Sequence, residues 1–229
     1  MQYQHTHTPA PQFHLWGLIY KTADASDGDD THKTFFVRGG AGNGVLAFAS
    51  ALDAEIYCHQ LEASGMPGWQ RAPLERIDLE RVSSGLPEEQ RMLMLALGFF
   101  ASDTNDLLLD EDRTLIPPLL PVPYRMQHSL HGLSQLFIDH DVLQFVEQWW
   151  EQVGGEYYSD EVRQAGAWSD QDLARCAGDA LSKAAVADMR QYHAQWSDTG
   201  SGDECAVFIP HTGAWQFSTL HGPRQRALH

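Results

Sequence analysis

The residues most able to do chemistry are the two histidines of the motif His128-x-x-His131. On a helix, positions three apart share a face, so both imidazoles would point the same way. Asp139 and His140 follow closely enough in sequence to supply a further ligand. Two histidines and a carboxylate can hold zinc or iron and leave a coordination position for water. The motif HEXXH is absent and Gly132 interrupts the helical pattern, so a metal-dependent hydrolase is the alternative to two surface or capping histidines.

A second motif is the glycine-rich stretch RGGAGNG at residues 38–44. A dinucleotide fingerprint needs Gly-x-Gly-x-x-Gly with a helix starting inside it, but after Gly40 and Gly42 the third position is Val45. No Gly-Lys-Ser/Thr ends the stretch, and the residues that follow have the pattern of a strand. The stretch therefore predicts a hairpin connection, and no cofactor is expected.

Nucleophile motifs give no positive signal. No Gly-x-Ser-x-Gly elbow is present, and Cys58, Cys176 and Cys205 lie far apart without a Cys-x-x-Cys pair. Scattered cysteines in odd number are typical of free thiols in a reducing cytoplasm. The sequence leaves enzymatic activity open but favours a protein without it, and it offers no catalytic residues.

The net charge of the chain restricts the kinds of partner that it can bind. Fifteen lysines and arginines stand against thirty-one acidic residues, a formal net charge of −16. This charge argues against binding to nucleic acid or to an anionic membrane, and it attracts a basic protein. Solubility alone is the other interpretation. The longest apolar run, residues 92–100, is about half a membrane span, and the first residues lack the pattern of a secretory signal.

Two aromatic doublets, Trp149-Trp150 and Tyr157-Tyr158, are the candidates for partner binding. Neighbouring residues of a helix or strand lie on different faces, so we expect one ring of each doublet to be exposed. Exposed tryptophan and tyrosine beside acidic residues are typical of protein-binding surfaces. A packed interior is the alternative for all four residues.

The first half of the chain reads as a mixture of strands and one clear helix. Strand patterns cover residues 13–22, 34–38 and 44–50. A capping box, Ser50-Ala-Leu-Asp53, then begins a helix that ends at Gly65.

The later segments of this half have less regular patterns. Residues 74–82 alternate imperfectly, which favours a half-exposed strand. Pro87 is predicted to open a central helix that contains the apolar run at 92–100. Residues 105–118 read as a small hairpin, and the prolines up to 123 require an extended chain.

The second half is predicted to be largely helical. Asp139 or Asp141 can cap an amphipathic helix that ends at Gly154-Gly155, and a shorter helix follows from Tyr158. Ser169 is predicted to cap a long helix that reaches Trp196. Residues 205–220 read as a hairpin.

These patterns predict an α+β fold in which helices pack on a small, mainly antiparallel sheet. We expect a flexible tail at 1–12, an α+β region at 13–124 and a helical region at 125–229. The terminal hairpin is expected to rejoin the first sheet, because an isolated hairpin is marginal. A single domain is the alternative to two regions.

Residues 34–65 resemble the N-terminal domains of SseB-type, secretion-associated bacterial proteins. That family pairs two strands before a helix, the second strand reading roughly L-x-x-F-[ST]-S-x-x-x-A. The matching residues are Leu46, Phe48, Ser50 and Ala54. The resemblance covers none of the helical half, and it implies an interaction module with no catalytic residues.

Charge and motifs together favour a non-enzymatic bacterial cytoplasmic protein that binds another protein, with a basic partner the best match. An immunity protein or an accessory factor of a toxin or secretion system fits this description. The hydrolase with His128, His131 and Asp139 is the competing hypothesis. A structural homodimer is the third hypothesis.

Overall fold

The computed structural model describes residues 14–20, 33–39, 42–87, 90–128, 134–190 and 204–219. The predicted tail at 1–12 lies outside these residues. The fold is α+β, with helices packed on mainly antiparallel sheets, as the sequence predicts.

The first sheet has seven strands, with the order β5-β1-β4-β6-β9 and the short β2 and β3 paired with β1 and β4. Its pairs are antiparallel except β4 with β6, which run parallel. The strands are β1 (Trp16–Tyr20), β2 (Lys33–Thr34), β3 (Phe36–Gly39), β4 (Gly42–Phe48), β5 (Trp69–Pro73), β6 (Met92–Ala96) and β9 (Leu119–Pro123).

A second sheet has the strand order β12-β8-β7-β13-β14. Its members are β7 (Phe99–Ala101), β8 (Leu107–Leu109), β12 (Val186–Asp188), β13 (Glu204–Ile209) and β14 (Ala214–Thr219). The predicted terminal hairpin is present as β13 and β14, but it pairs with β7 of this second sheet and does not rejoin the first sheet. A separate hairpin contains β10 (Arg125–His128) and β11 (Ser134–Phe137).

The sheets are packed by α-helices. These helices are α1 (Ala51–Ala63), α2 (Leu79–Val82), α3 (His140–Gly154), α4 (Tyr158–Ala165) and α5 (Asp170–Ser182). The N-caps of α1, α3 and α5 match the sequence signals. Ser50 Oγ accepts from Asp53 N, and Ser169 Oγ accepts from Asp172 N. Asp139 is the N-cap of α3, and Gly155, with φ 86°, is its C-cap.

Helices cover both faces of the sheets. In β13, the alternate residues Ala206 and Phe208 pack into a cluster with α1 and α5. Val207 and Ile209 pack into a second cluster with α3 and α4. Because successive side chains of a strand point to opposite faces, α5 and α3 lie on opposite sides of β13 and β14.

Gly98 joins the two sheets between β6 and β7. Its φ is 86°, a conformation that favours glycine, and a Cβ there would lie 2.6 Å from the carbonyl oxygen of Ala206. Glycine at this position therefore allows the chain to pass from β6 into β7 while the backbone of β13 lies in close contact.

The predicted strand at residues 74–82 is wrong. A 3-10 turn spans Leu74–Arg76, and α2 follows it with Asp78 as N-cap. Leu74, Ile77 and Leu79 are buried, so the apolar contacts of this segment come from two short turns and not from one alternating face.

The predicted central helix over residues 92–100 is also wrong, because this run forms β6 and β7. A short, wholly apolar run does not distinguish a buried helix from a buried strand. Here Leu93 and Leu95 are directed to one core and Ala96 to the other, while parallel pairing with β4 supplies the backbone bonds. Central parallel strands are buried on both faces and have this apolar pattern.

The helix from Ser169 ends at Ser182 and does not continue towards Trp196. Residues Val186–Asp188 pair in parallel with β8, and Leu107 N donates to Ala185 O at 2.8 Å. In this pairing the backbone of residues 185–188 bonds to β8, so it cannot form the hydrogen bonds of a longer helix. Trp196 lies outside the described residues.

None of the helices in the described part of the chain combines the length and apolar character needed to cross a bilayer.

Candidate functional site

His128 does not lie on the helix that the metal hypothesis requires. His128 ends strand β10, so the two histidines are not an i, i+3 pair on a helix, and His131 lies outside the described residues. Asp139 Oδ1 accepts from Asp141 N at 3.2 Å as a helix cap. Among the described residues, no group of three histidine, cysteine or acidic side chains could hold a metal ion.

The glycine-rich stretch connects β3 and β4, where Gly39 pairs with Gly42. Gly44 has a packing role, because a Cβ there would lie 2.3 Å from the backbone oxygen of Met92. The glycine allows β4 and β6 to approach each other. Gly40 lies outside the described residues.

Each aromatic doublet has one buried member. Trp150 and Tyr158 are each only 2% exposed and belong to the core on the α3 side, so they present no surface to a partner. Trp149 is half-buried, and its Nε1 donates to Leu97 O at 3.2 Å. Tyr157 is 68% exposed. Of the four candidates, Tyr157 is the one that the fold offers to solvent.

The acidic charge is concentrated in the segment that contains helices α3, α4 and α5 and their connections. Residues 139–182, here called the acidic segment, contain ten acidic and two basic residues, which gives −8 of the formal −16. Seven of the ten acids are exposed: Asp139, Asp141, Glu151, Glu156, Asp160, Asp170 and Asp179.

The acidic segment wraps around the hairpin of β13 and β14. Helix α3 packs against both strands on one face. At the turn of the hairpin, His211 Nδ1 forms an ion pair with Glu161 of α4. On the other face, Trp215 Nε1 donates to Ala180 O of α5 at 2.9 Å. Helices of one continuous acidic segment therefore pack on both faces of this hairpin, and one of its carboxylates binds the hairpin turn.

The basic side chains near the acidic segment neutralise only part of its negative charge. Arg163 pairs with Glu147 and Asp160, and Lys183 Nζ lies 2.7 Å from Asp179 Oδ2. Within the described residues, Glu151 and Glu156 have no ion-pair partner. Such uncompensated surface charge steers an oppositely charged partner in water.

Apolar surface lies beside these carboxylates. Trp168, which is 36% exposed, lines a groove with Cys176 and Pro210, and its volume is about 470 Å³. Asp172 and Asp179 line the same groove. Tyr157 stands in the preceding connection between α3 and α4. Aromatic rings framed by acidic side chains are a common composition for a protein-binding surface.

A polar cleft of about 410 Å³ lies between α1, β5 and α5. Its central residue is Arg71, whose Nε lies 2.9 Å from Glu55 Oε2 and whose Nη2 pairs with Asp170. The guanidinium carbon also lies 4.9 Å from the ring centroid of Trp16. Since two carboxylates flank this nearly buried cation, the cleft fixes α5 onto α1 and β5 and leaves no unpaired positive charge for an anionic ligand.

The most perturbed carboxyl group is Asp53, in the first turn of α1. Its side chain is 2% exposed, and within the described residues its Oδ1 has no hydrogen-bond partner. Burial raises the pKa of Asp53 to about 7. Burial also raises the pKa values of Tyr158 and Cys205, and the charge of Asp53 raises both further.

Asp53 has the pKa of a general base but not the surroundings of one. It lines neither of the two clefts described above. A catalytic carboxylate must reach a substrate, and Asp53 is instead enclosed where α1, α4 and β13 meet. We therefore assign it an effect on stability and no role at the surface.

Sequence reasoning identified the overall acidity but missed its position. Counting charges along the helical segments would have found the ten acids at 139–182. Trp168 was missed because a single tryptophan before a helix cap has no periodic signal. Asp53 was interpreted only as part of a capping box, since burial of a first-turn acid depends on tertiary packing.

Comparisons of the chain with protein-family models, with curated proteins and with solved structures found no match. The resemblance to SseB-type domains stays a prediction.

Proposed function

We propose that this chain is a non-enzymatic protein that binds another protein, and that the partner presents a basic surface to the acidic segment. The single observation that carries the proposal is the concentration of ten acidic residues in residues 139–182, which form three consecutive helices and their connections beside the β13–β14 hairpin. Charge that only keeps a protein soluble can be spread over its whole surface. Electrostatic steering of a partner is stronger when like charges are clustered.

Exposed aromatic surface supplies the second component of recognition. Charges raise the association rate and select partners, while buried aromatic anchors contribute most of the affinity. Tyr157 and Trp168 lie in the connections that begin and end α4, within the acidic segment. We assign them the anchoring role that the sequence analysis predicts for the two doublets.

The setting that fits best is a bacterial cytoplasm. Cys58, Cys176 and Cys205 all carry free thiols, which suits a reducing compartment. An immunity protein that neutralises a basic toxin, or an accessory factor for a basic secretion component, would use a surface of this kind.

Co-purification from cells of the source organism tests the proposal. We expect a different protein, rich in lysine and arginine, to be retained at low salt and partly released at moderate salt, because exposed ion pairs are screened. Recovery of this chain alone at both salt concentrations would contradict the proposal.

A further inference from the structure

We infer that the exposed edge of β14 binds an extended segment of the basic partner, which adds to the second sheet as a further strand with alternating apolar and basic residues. This inference rests on the proposed function and specifies how the partner binds. Strand addition uses main-chain hydrogen bonds for affinity and alternate side chains for specificity.

The first support is the position of β14 in the sheet. It is the terminal strand in the order β12-β8-β7-β13-β14, and within the described residues only β13 pairs with it. Its six residues make it about 20 Å long. Whereas the last five residues of β13 are buried, β14 is half-exposed throughout. Within the part of the chain that the structure describes, the outer edge of β14 therefore has a row of backbone donors and acceptors that no strand pairs with.

The other outer strands of the two large sheets carry features that discourage pairing, and the strands of the separate β10–β11 hairpin have only four residues each. Strand β9 has Pro121 and Pro123, which lack the N–H donor that a neighbouring strand would need. Strand β12 has only three residues and ends at Asp188, and β5 carries Arg71 and ends at Pro73. Short strands, charges and prolines are the usual protection of sheet edges. Strand β14, with the sequence AWQFST, has none of these.

The two faces of β14 determine which side chains fit. Trp215 lies opposite Phe208 and Phe217 opposite Ala206, so both half-buried rings face the α5 side. An added strand could place apolar side chains beside them. Burial of more aromatic surface would favour this pairing.

The opposite face favours basic side chains. Gln216 lies opposite Val207, whose side chain packs into the cluster that contains α3. Gln216 is exposed, and Glu151 on α3 has no ion-pair partner within the described residues. A lysine or arginine of the added strand would lie on this acidic side, where charge complementarity selects it.

A synthetic ten-residue peptide of alternating lysine and valine is the probe. We expect it to bind the full chain and to slow hydrogen exchange of backbone amides in β14, measured by NMR.

Two forms of the peptide, N-methylated at odd or at even positions, test whether it binds as a strand. One form should lose about tenfold or more in affinity because its bonded donors are removed, and the other should bind nearly as well as the parent peptide. Equal binding of both forms would overturn strand addition.

Charge substitutions at one position test the acidic face. We expect Gln216→Glu to strengthen binding of the peptide about twofold to fivefold, and Gln216→Lys to weaken it by a similar factor, since cross-strand charges interact directly. Gln70, the exposed glutamine of edge strand β5, is the matched control. Gln70→Glu and Gln70→Lys should leave the affinity unchanged. If they act like the Gln216 variants, the peptide responds to overall charge and the inference fails.

Two further outcomes separate this inference from the proposed function. If a basic protein co-purifies equally well with wild type and Gln216→Lys, partner binding stands and strand addition at β14 is wrong. If the chain forms a dimer that Gln216→Lys dissociates, and the peptide does not protect β14, the occupant is a second copy and the inference is also overturned.

Discussion

Carboxylates occur in two contrasting regions of this molecule, the interior at Asp53 and the surface of the acidic segment at residues 139–182. Asp53 is enclosed by α1, α4 and β13, and burial raises its pKa to about 7. On the acidic segment, Asp172 has its pKa lowered, chiefly because the Ser169 hydroxyl donates to it. The buried carboxylate therefore opposes folding, since its Oδ1 has no hydrogen-bond partner among the described residues. The carboxylate at the surface is stabilised, because a hydroxyl and a cation bind it.

The largest expected effect concerns the pH dependence of stability at Asp53. Between pH 4 and pH 7 the folded state holds a proton that the unfolded state has lost, so the free energy of unfolding falls as pH rises across this window. The pKa rises from 3.8 to about 7, and each pKa unit corresponds to about 1.4 kcal/mol. Asp53→Asn removes this ionisation. We expect its stability relative to wild type to increase by about 4 kcal/mol between pH 4 and pH 8.

Urea unfolding at both pH values measures this change. The matched control is Asp160→Asn in the acidic segment, where the carboxylate is exposed and the expected change is within about 0.5 kcal/mol at either pH. Parallel pH profiles for wild type and Asp53→Asn would show that Asp53 is ionised without penalty, and the contrast between the regions would be lost.

A second expected effect compares two glycines with the same φ of 86°, Gly98 in the interior and Gly155 in the acidic segment. A Cβ at Gly98 meets the Ala206 oxygen at 2.6 Å, whereas at Gly155 nothing lies within 4 Å. We expect Gly98→Ala to lose about 3 kcal/mol, from backbone strain and overpacking together. Gly155→Ala should lose about 1 kcal/mol, from strain alone.

Thermal or urea unfolding of the two glycine variants gives the difference directly. Equal losses would mean that β6, β7 and β13 adjust easily around the junction, which would contradict the close contact described for Gly98.

The smallest expected effect concerns two helix caps, Ser50 in the interior and Ser169 in the acidic segment. Both hydroxyls accept a backbone N–H three residues later. We expect Ser50→Ala to lose about 2 kcal/mol, because the amide that it leaves is buried, and Ser169→Ala about 1 kcal/mol, because water replaces the exposed bond. A larger loss for Ser169→Ala in urea unfolding would reverse this order.

The sequence predicted elements whose signals are local. The caps at Ser50, Asp139 and Ser169 and the terminal hairpin follow from side chains within a few residues, and the structure confirms them. The strand at β6 and the early end of α5 were not predictable in this way. Both depend on parallel pairing with segments distant in sequence, which leaves no local pattern.

In the candidate site, too, local features were predictable from the sequence and features that depend on tertiary packing were not. Acidity can be counted from the sequence, and the exposure of Tyr157 is consistent with the expectation for one member of its doublet. The choice of Trp150 and Tyr158 as core residues depends on which face of α3 and α4 meets the sheet. The edge of β14 becomes visible only when the strand order is known.

The most direct measurement is quantitative co-purification with paired charge variants. The acidic-segment variant carries Glu151→Gln and Glu156→Gln, and the control carries Glu62→Gln and Asp112→Asn, which remove the same charge at exposed positions elsewhere. We expect the first variant to retain about fivefold less of the basic partner at low salt, and the control to retain as much as wild type. Equal retention by both variants would show that the acidic segment is not the binding surface.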